Sequence, residues 1–162
     1  MKKILRWVGI GFLGLFLLAQ FYRPERTNPP VDPAMTIQAK LRVPENVDKI
    51  LRRSCYDCHS HETRWPWYSH LAPAMWLVAH DVEEGRSKLN FSNWTYKYFR
   101  AVGRIDQMAQ EINDGEMPLP PYLLMHPSAR LSEEEKNILY DWIESERERI
   151  LEEGSEEGDG KN

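Results

Sequence analysis

Residues 44–59 read Pro-Glu-Asn-Val-Asp-Lys-Ile-Leu-Arg-Arg-Ser-Cys-Tyr-Asp-Cys-His, and the fold turns on this stretch. Proline is tolerated in a first helical turn, where its missing N–H costs nothing. Val47, Ile50 and Leu51 then recur at helical spacing and carry one apolar face into Cys55. A helix is therefore expected to end on two thiols three positions apart, followed at once by an imidazole. C-x-x-C-H is the attachment pattern of c-type haem. On one helical turn the two sulfurs can add to the two vinyl groups of a haem, and the next side chain projects beneath the iron. This reading makes Cys55 and Cys58 the covalent attachment sites of haem c and His59 the proximal iron ligand.

Three rival readings fit the same five residues. C-x-x-C can be a thiol–disulfide redox pair, but that pair usually opens a helix after a strand, and no strand is evident upstream. A zinc site needs further ligands at suitable spacing; His61 and His70 are near in sequence, but there is no second C-x-x-C. The pattern can also arise by accident. The chain has only two cysteines in 162 residues, so no disulfide framework is available.

Downstream the period remains helical. A second helix is expected over 73–84, with Met75, Trp76, Val78, Ala79 and Val82 apolar and Gly85 as its stop. A third is expected over 93–114, capped by Ser92 or Asn93, with Tyr98, Val102, Ile105, Met108, Ala109 and Ile112 as its stripe and Gly115 at its end. A fourth begins at Ser132, where Glu135 three positions on completes a capping box; Leu139, Trp142 and Ile143 form its buried face and Ile150 extends it. No segment alternates as a strand does. The fold class is all-α. The six tryptophans either fill the core or line a flat apolar cofactor.

Upstream, Lys2, Lys3 and Arg6 precede an uncharged run over 7–22. The run is short for a membrane span, which needs about 20 apolar residues, and it lacks small residues at a cleavage site. An uncleaved signal anchor over 1–22, crossing the inner membrane, is expected. The cations then stay cytoplasmic and the rest of the chain lies outside. Residues 23–44 hold five prolines and read as a semi-rigid linker. Residues 45–152 form the haem-binding domain, and 153–162 an acidic disordered tail. The net charge of −4 leaves no electrostatic case for nucleic acid.

Cytochromes c commonly take a methionine as the second axial ligand. Met117 is the expected distal iron ligand, because it follows the Gly115 stop and precedes Pro118 on a loop with a fixed exit. Met125 and His126, after the Pro120-Pro121 turn, are the alternatives. Met108 lies on the helical stripe and reads as core filler. His61, His70 and His80 are weaker choices.

These residues resemble a known family. Cys55–His59, Gly115-Glu116-Met117-Pro118 and the closing Leu131–Glu135 with Trp142-Ile143 are similar to class I cytochrome c. More narrowly, Arg53–Thr63 with Trp65-Pro66-Trp67-Tyr68, then Met117–Tyr122, His126-Pro127 and Leu131-Ser132, resemble the bacterial haem-binding domain family of anchored proteins, over about 45–145. The resemblance implies a cytochrome c-like helical domain whose last helix packs across its first. It also implies a haem c protein on the outer side of the bacterial inner membrane, facing the periplasm. The aromatic-rich segment 65–94 exceeds a minimal cytochrome c.

The leading functional expectation is one-electron transfer to redox partner proteins of the envelope, with no catalytic residues. The alternatives are a haem sensor or small peroxidase-like enzyme with an open sixth site, where His61 or His126 acts on bound ligand, and a thiol or adaptor protein without haem.

Overall fold

The computed structural model describes residues 1–159. They form helices α1 (Lys2–Ala19), α2 (Ile37–Lys40), α3 (Glu45–Ser54), α4 (Tyr56–His59), α5 (Ala74–Lys88), α6 (Phe99–Asn113), α7 (Pro120–Met125) and α8 (Glu133–Asp159). No strand occurs among the described residues, in keeping with the all-α class.

α3 forms for the reason its sequence suggests. Pro44 precedes it and Glu45 and Asp48 occupy its first turn, favourable beside the positive helix end. Val47, Ile50 and Leu51 face inward and are buried. α6 lies along α8, α3 also meets α8, and their apolar faces close one core around Ile105, Ile112, Leu139 and Trp142. The helix that leads into Cys55 and the last helix thus pack together. The capping box at the start of α8 forms as expected: the Ser132 N–H donates to Glu135 Oε2 at 2.9 Å, and the Glu135 N–H to Ser132 Oγ at 3.2 Å.

Glu135 also accepts from Arg53 Nη1 at 2.6 Å, tying α8 to the last turn of α3. The Arg53 hydrogen bond, with help from the Ser132 N–H, holds the Glu135 carboxyl down at about 2, against an ordinary 4.5. A depressed folded pKa contributes stability that is present above about pH 4.5 and lost as the pH falls toward 2. Glu135→Gln is therefore expected to flatten the acid limb of a stability-against-pH curve in that window. If the Glu135→Gln variant loses stability on acidification as steeply as the wild type, the assignment is refuted.

Several elements differ from the sequence reading. α5 does not stop at Gly85 but runs on to Lys88. α6 starts at Phe99, after Tyr98 with φ of 43°, and not at residue 93. Residues 90–98 are spent instead on closing the domain over α4. The Phe91 N–H donates to the His59 carbonyl at 2.8 Å and the Trp94 N–H to the Met35 carbonyl at 2.7 Å. Ser92 accordingly caps no helix; its hydroxyl accepts from the His61 N–H at 2.9 Å. Gly115, with φ of 75°, does end α6 in a conformation that suits glycine.

The proline-rich stretch lies against the domain. Ile37 and Leu41 are buried in the core, Asp32 and Thr36 cap short turns, and Arg86 donates to the Thr27 carbonyl and to Asn28 Oδ1 at 2.9 and 2.8 Å. At the other end the disordered acidic tail expected over 153–162 is corrected as far as Asp159, because α8 continues through 153–159; residues 160–162 lie outside the described residues.

The transmembrane anchor expected over 1–22 is corrected. Among the described residues no helix is long and apolar enough to cross a membrane. Lys2, Lys3 and Arg6 occupy the first turns of α1, which ends at Ala19. The uncharged part, 7–19, spans about 20 Å at a rise of about 1.5 Å per residue, against a hydrocarbon core about 30 Å thick.

Candidate haem site

The chain breaks at Cys55, where φ and ψ of −125° and −35° separate α3 from α4. The break is held from both sides. The Cys55 N–H donates to the Leu51 carbonyl at 2.8 Å, and the Cys55 carbonyl accepts from the His59 N–H at 3.0 Å. One turn of α4 then carries Cys58 and His59, as the C-x-x-C-H spacing demands.

α5 packs so closely on this turn that only glycine fits at the contact. A Cβ on Gly85 would stand 2.6 Å from the Cys58 carbonyl oxygen and 3.2 Å from Cys58 Cβ. Gly85 is thus a contact residue within α5, not its stop. The close approach delivers two carbonyls to His59: Nδ1 lies 3.0 Å from both the Gly85 and the Leu89 oxygens. A carbonyl only accepts, so Nδ1 carries the proton and Nε2 keeps its lone pair. Burial pushes the His59 pKa down, and the two carbonyls offset this only in part, so the ring is neutral at pH 7. A neutral imidazole with its far nitrogen hydrogen-bonded to a carbonyl is the form that ligates metals.

Cys55 and Cys58 are both free thiols. Burial pushes each up to about 12, with Cys58 adding to the effect at Cys55, and Asp81 and Asp57 adding at Cys58. A reactive dithiol pair needs the opposite shift, so the surroundings argue against the thiol–disulfide reading. Among the described residues no three of His, Cys, Asp and Glu converge on a metal-ion position. His61, one of the two histidines the zinc reading needs, is spent on Asn90 Nδ2 at 3.0 Å and faces the Pro30 carbonyl.

Cys55, Cys58 and His59 line a cleft of about 440 Å³, within the size range of small-molecule and cofactor sites. Leu89, Phe91, Met108, Pro118 and Leu119 give it apolar walls, and Lys88, Arg104, Glu111 and Glu116 lie among its polar lining. Met117 lines it too, half-buried against the core. The loop is pinned because the Glu116 and Met117 N–H groups both donate to the Glu111 carbonyl at 3.0 Å. Met125 is 53% exposed and absent from the wall. His126 is absent from it as well: Nε2 lies 2.8 Å from the Tyr68 hydroxyl, and the ring stacks on Tyr122 with centroids 4.2 Å apart. Apolar walls, a metal-ready imidazole and two neutral thiols on one turn fit a haem.

Sequence reasoning missed Gly85, Leu89 and Tyr122. Tyr122 lines the cleft and donates to Asp57 Oδ2 at 2.9 Å. Burial and Asp57 together push its phenol far up. Asp57 thereby ties α7 to the C-x-x-C-H turn. No periodicity or motif signals a contact 65 positions apart.

No curated protein and no solved structure matches the chain. The sequence model of the haem-binding domain family matches residues 14–145, a span that includes the C-x-x-C-H turn, the glycine contact and the Met117 loop; the chain belongs to this family and is a haem-binding protein.

Proposed function

We propose that this protein is a c-type cytochrome: Cys55 and Cys58 would attach the haem covalently, His59 as proximal and Met117 as distal ligand would hold its iron, and the protein transfers single electrons. The observation that carries the reading is the His59 imidazole, locked by two backbone carbonyls with Nε2 unprotonated, on the same turn as two free thiols.

Bound haem would supply a one-electron change at its iron. The chain's own residues do the rest. The Gly85 and Leu89 carbonyls orient His59 and enrich its donor nitrogen, as hydrogen-bonded histidine ligands generally require. Met117 offers a soft thioether of the kind that raises a cytochrome's potential. The apolar walls would limit water at a bound haem, another lever on potential. Two ligands present in both oxidation states would leave little rearrangement to oppose the electron.

The cationic start of α1 and its uncharged 7–19 run match the charged and apolar regions of an export signal. We therefore place the haem domain in the extracytoplasmic space of a bacterial envelope, with other redox proteins there as its partners.

The test is an absorption spectrum of protein expressed with haem-attachment machinery. A weak ferric sulfur-to-iron band at the red end is expected, lost in Met117→Ala and kept in Met125→Ala. If the band survives Met117→Ala, or His126→Ala alters the spectrum instead, the distal assignment is wrong. Carbon monoxide binding by the reduced wild-type protein at neutral pH would favour the sensor or peroxidase-like reading, with its open sixth site.

A further inference from the structure

Two cations on one edge of the haem cleft have no carboxylate partner among the described residues. Lys88 closes α5, and its ammonium takes part in no ion pair or hydrogen bond there. Arg104, on α6, is also without a carboxylate. Its guanidinium carbon sits 5.2 Å over the Tyr96 ring, and Nη1 donates to Gln107 Oε1 at 3.1 Å. Tyr96 gathers both residues to one edge: its hydroxyl donates to the Lys88 carbonyl at 3.4 Å while its ring lies beneath Arg104. Elsewhere the cations of α3 and α8 do find acids, as in Arg52 with Asp48 and Glu62, and Arg149 with Glu146. Acids are not scarce here either, since Glu84, Glu111 and Glu116 line the same cleft.

A haem carries two carboxylates. In a cleft lined by acids they meet like charge, which costs more as water is excluded, so each needs a cation or an N–H donor. An arginine held by an aromatic ring on one side and a glutamine on the other presents its fork with less freedom left to lose. We propose that Arg104 and Lys88 hold the two haem carboxylates, Arg104 through paired N–H bonds and Lys88 as a point charge. This rests on the haem reading of the same cleft and goes beyond it, because it names the residues that fix the cofactor's polar edge.

The test uses the full chain with haem attached, as wild type, Arg104→Gln, Arg104→Lys, Lys88→Gln and Lys97→Gln. Lys97 is exposed, lies outside the cleft wall and controls for the loss of one positive charge at the surface. Two quantities are read: the reduction potential, and the propionate bending band in the resonance Raman spectrum. Removing a cation from beside the haem favours the ferric form. Arg104→Gln and Lys88→Gln are each expected to shift the redox equilibrium about tenfold toward it, a fall of about 59 mV for one electron, and to move the propionate band. Arg104→Lys should keep the potential within about twofold in that equilibrium while still moving the band, because the charge remains and the fork is lost. Equal shifts in Lys97→Gln, or an unmoved propionate band in both cleft variants with the Soret band intact, would overturn the assignment. A wild-type protein with no haem band at all overturns the haem reading instead, and the inference with it.

Discussion

Protein carrying Cys55→Ala and Cys58→Ala together, made alongside haem-attachment machinery, is expected to lose all haem that survives denaturation. Wild-type protein should gain the mass of one haem and stain for it on a denaturing gel. Each single variant should keep a weaker stain from its one remaining sulfur. The contrast is large because the two kinds of bond respond differently to unfolding. Coordination by His59 would depend on the carbonyls of Gly85 and Leu89, both of which would move away as α5 separates from α4. A carbon–sulfur bond survives that separation. Both thiols lie on the cleft wall and are held protonated by burial. If the double variant still carries haem through denaturation, or intact mass shows the wild-type sulfurs free, covalent attachment at this site is wrong, although haem binding itself is not.

The second large effect is expected from Gly85→Ala, a change of one methyl group. The new Cβ would stand 2.6 Å from the Cys58 carbonyl oxygen, a backbone atom that cannot rotate away. Either α5 or the C-x-x-C-H turn must shift. Overpacking of this kind costs about 1–3 kcal/mol, and here the same shift also spoils one of the two hydrogen bonds that orient His59. Denaturant unfolding of the haem-free chain reads the stability, and the visible spectrum of the haem-loaded protein reads the ligand field. Gly103→Ala is the internal control. It lies within α6 with nothing within 4 Å of its added Cβ, and removing a helix-interior glycine should raise stability by about 0.5–1 kcal/mol. Opposite signs at the two positions are the expected result. If Gly85→Ala is as stable as wild type, the close approach of α5 is not a constraint.

Both predictions depend on features of unequal visibility in the sequence. The two sulfurs and the imidazole are local. Their spacing makes sense on one helical turn whatever surrounds it, and α3, the capping box of α8 and the Gly115 stop are local in the same way. The place of Met117 on the cleft wall was legible because a loop between a glycine stop and a proline has few conformations. Gly85 was misread for an instructive reason. A glycine near a helix end is usually a stop, and only the neighbouring helix reveals that the missing Cβ is needed for contact instead. Residues 90–98 were misread similarly. Their capping residues and aromatic spacing suit a helix start, but the Phe91 and Trp94 N–H groups find better partners in the His59 and Met35 carbonyls.

By itself, then, the order of residues determined what short-range physics can settle: an all-helical chain, the bounds of α3, the capped start of α8, the Gly115 stop, and the C-x-x-C-H motif. Tertiary structure decided the rest. It turned His59 to one tautomer, brought Met117 and Tyr122 to the wall that holds Cys55 and Cys58, left Met125 and His126 outside it, and put both Lys88 and Arg104 on its lining. The division follows from range. A capping box or a C-x-x-C-H turn is completed within a few residues, so its energy is written along the chain. A cleft is made by side chains tens of positions apart, and the packing of α5, α6 and α7 alone determines which of them meet.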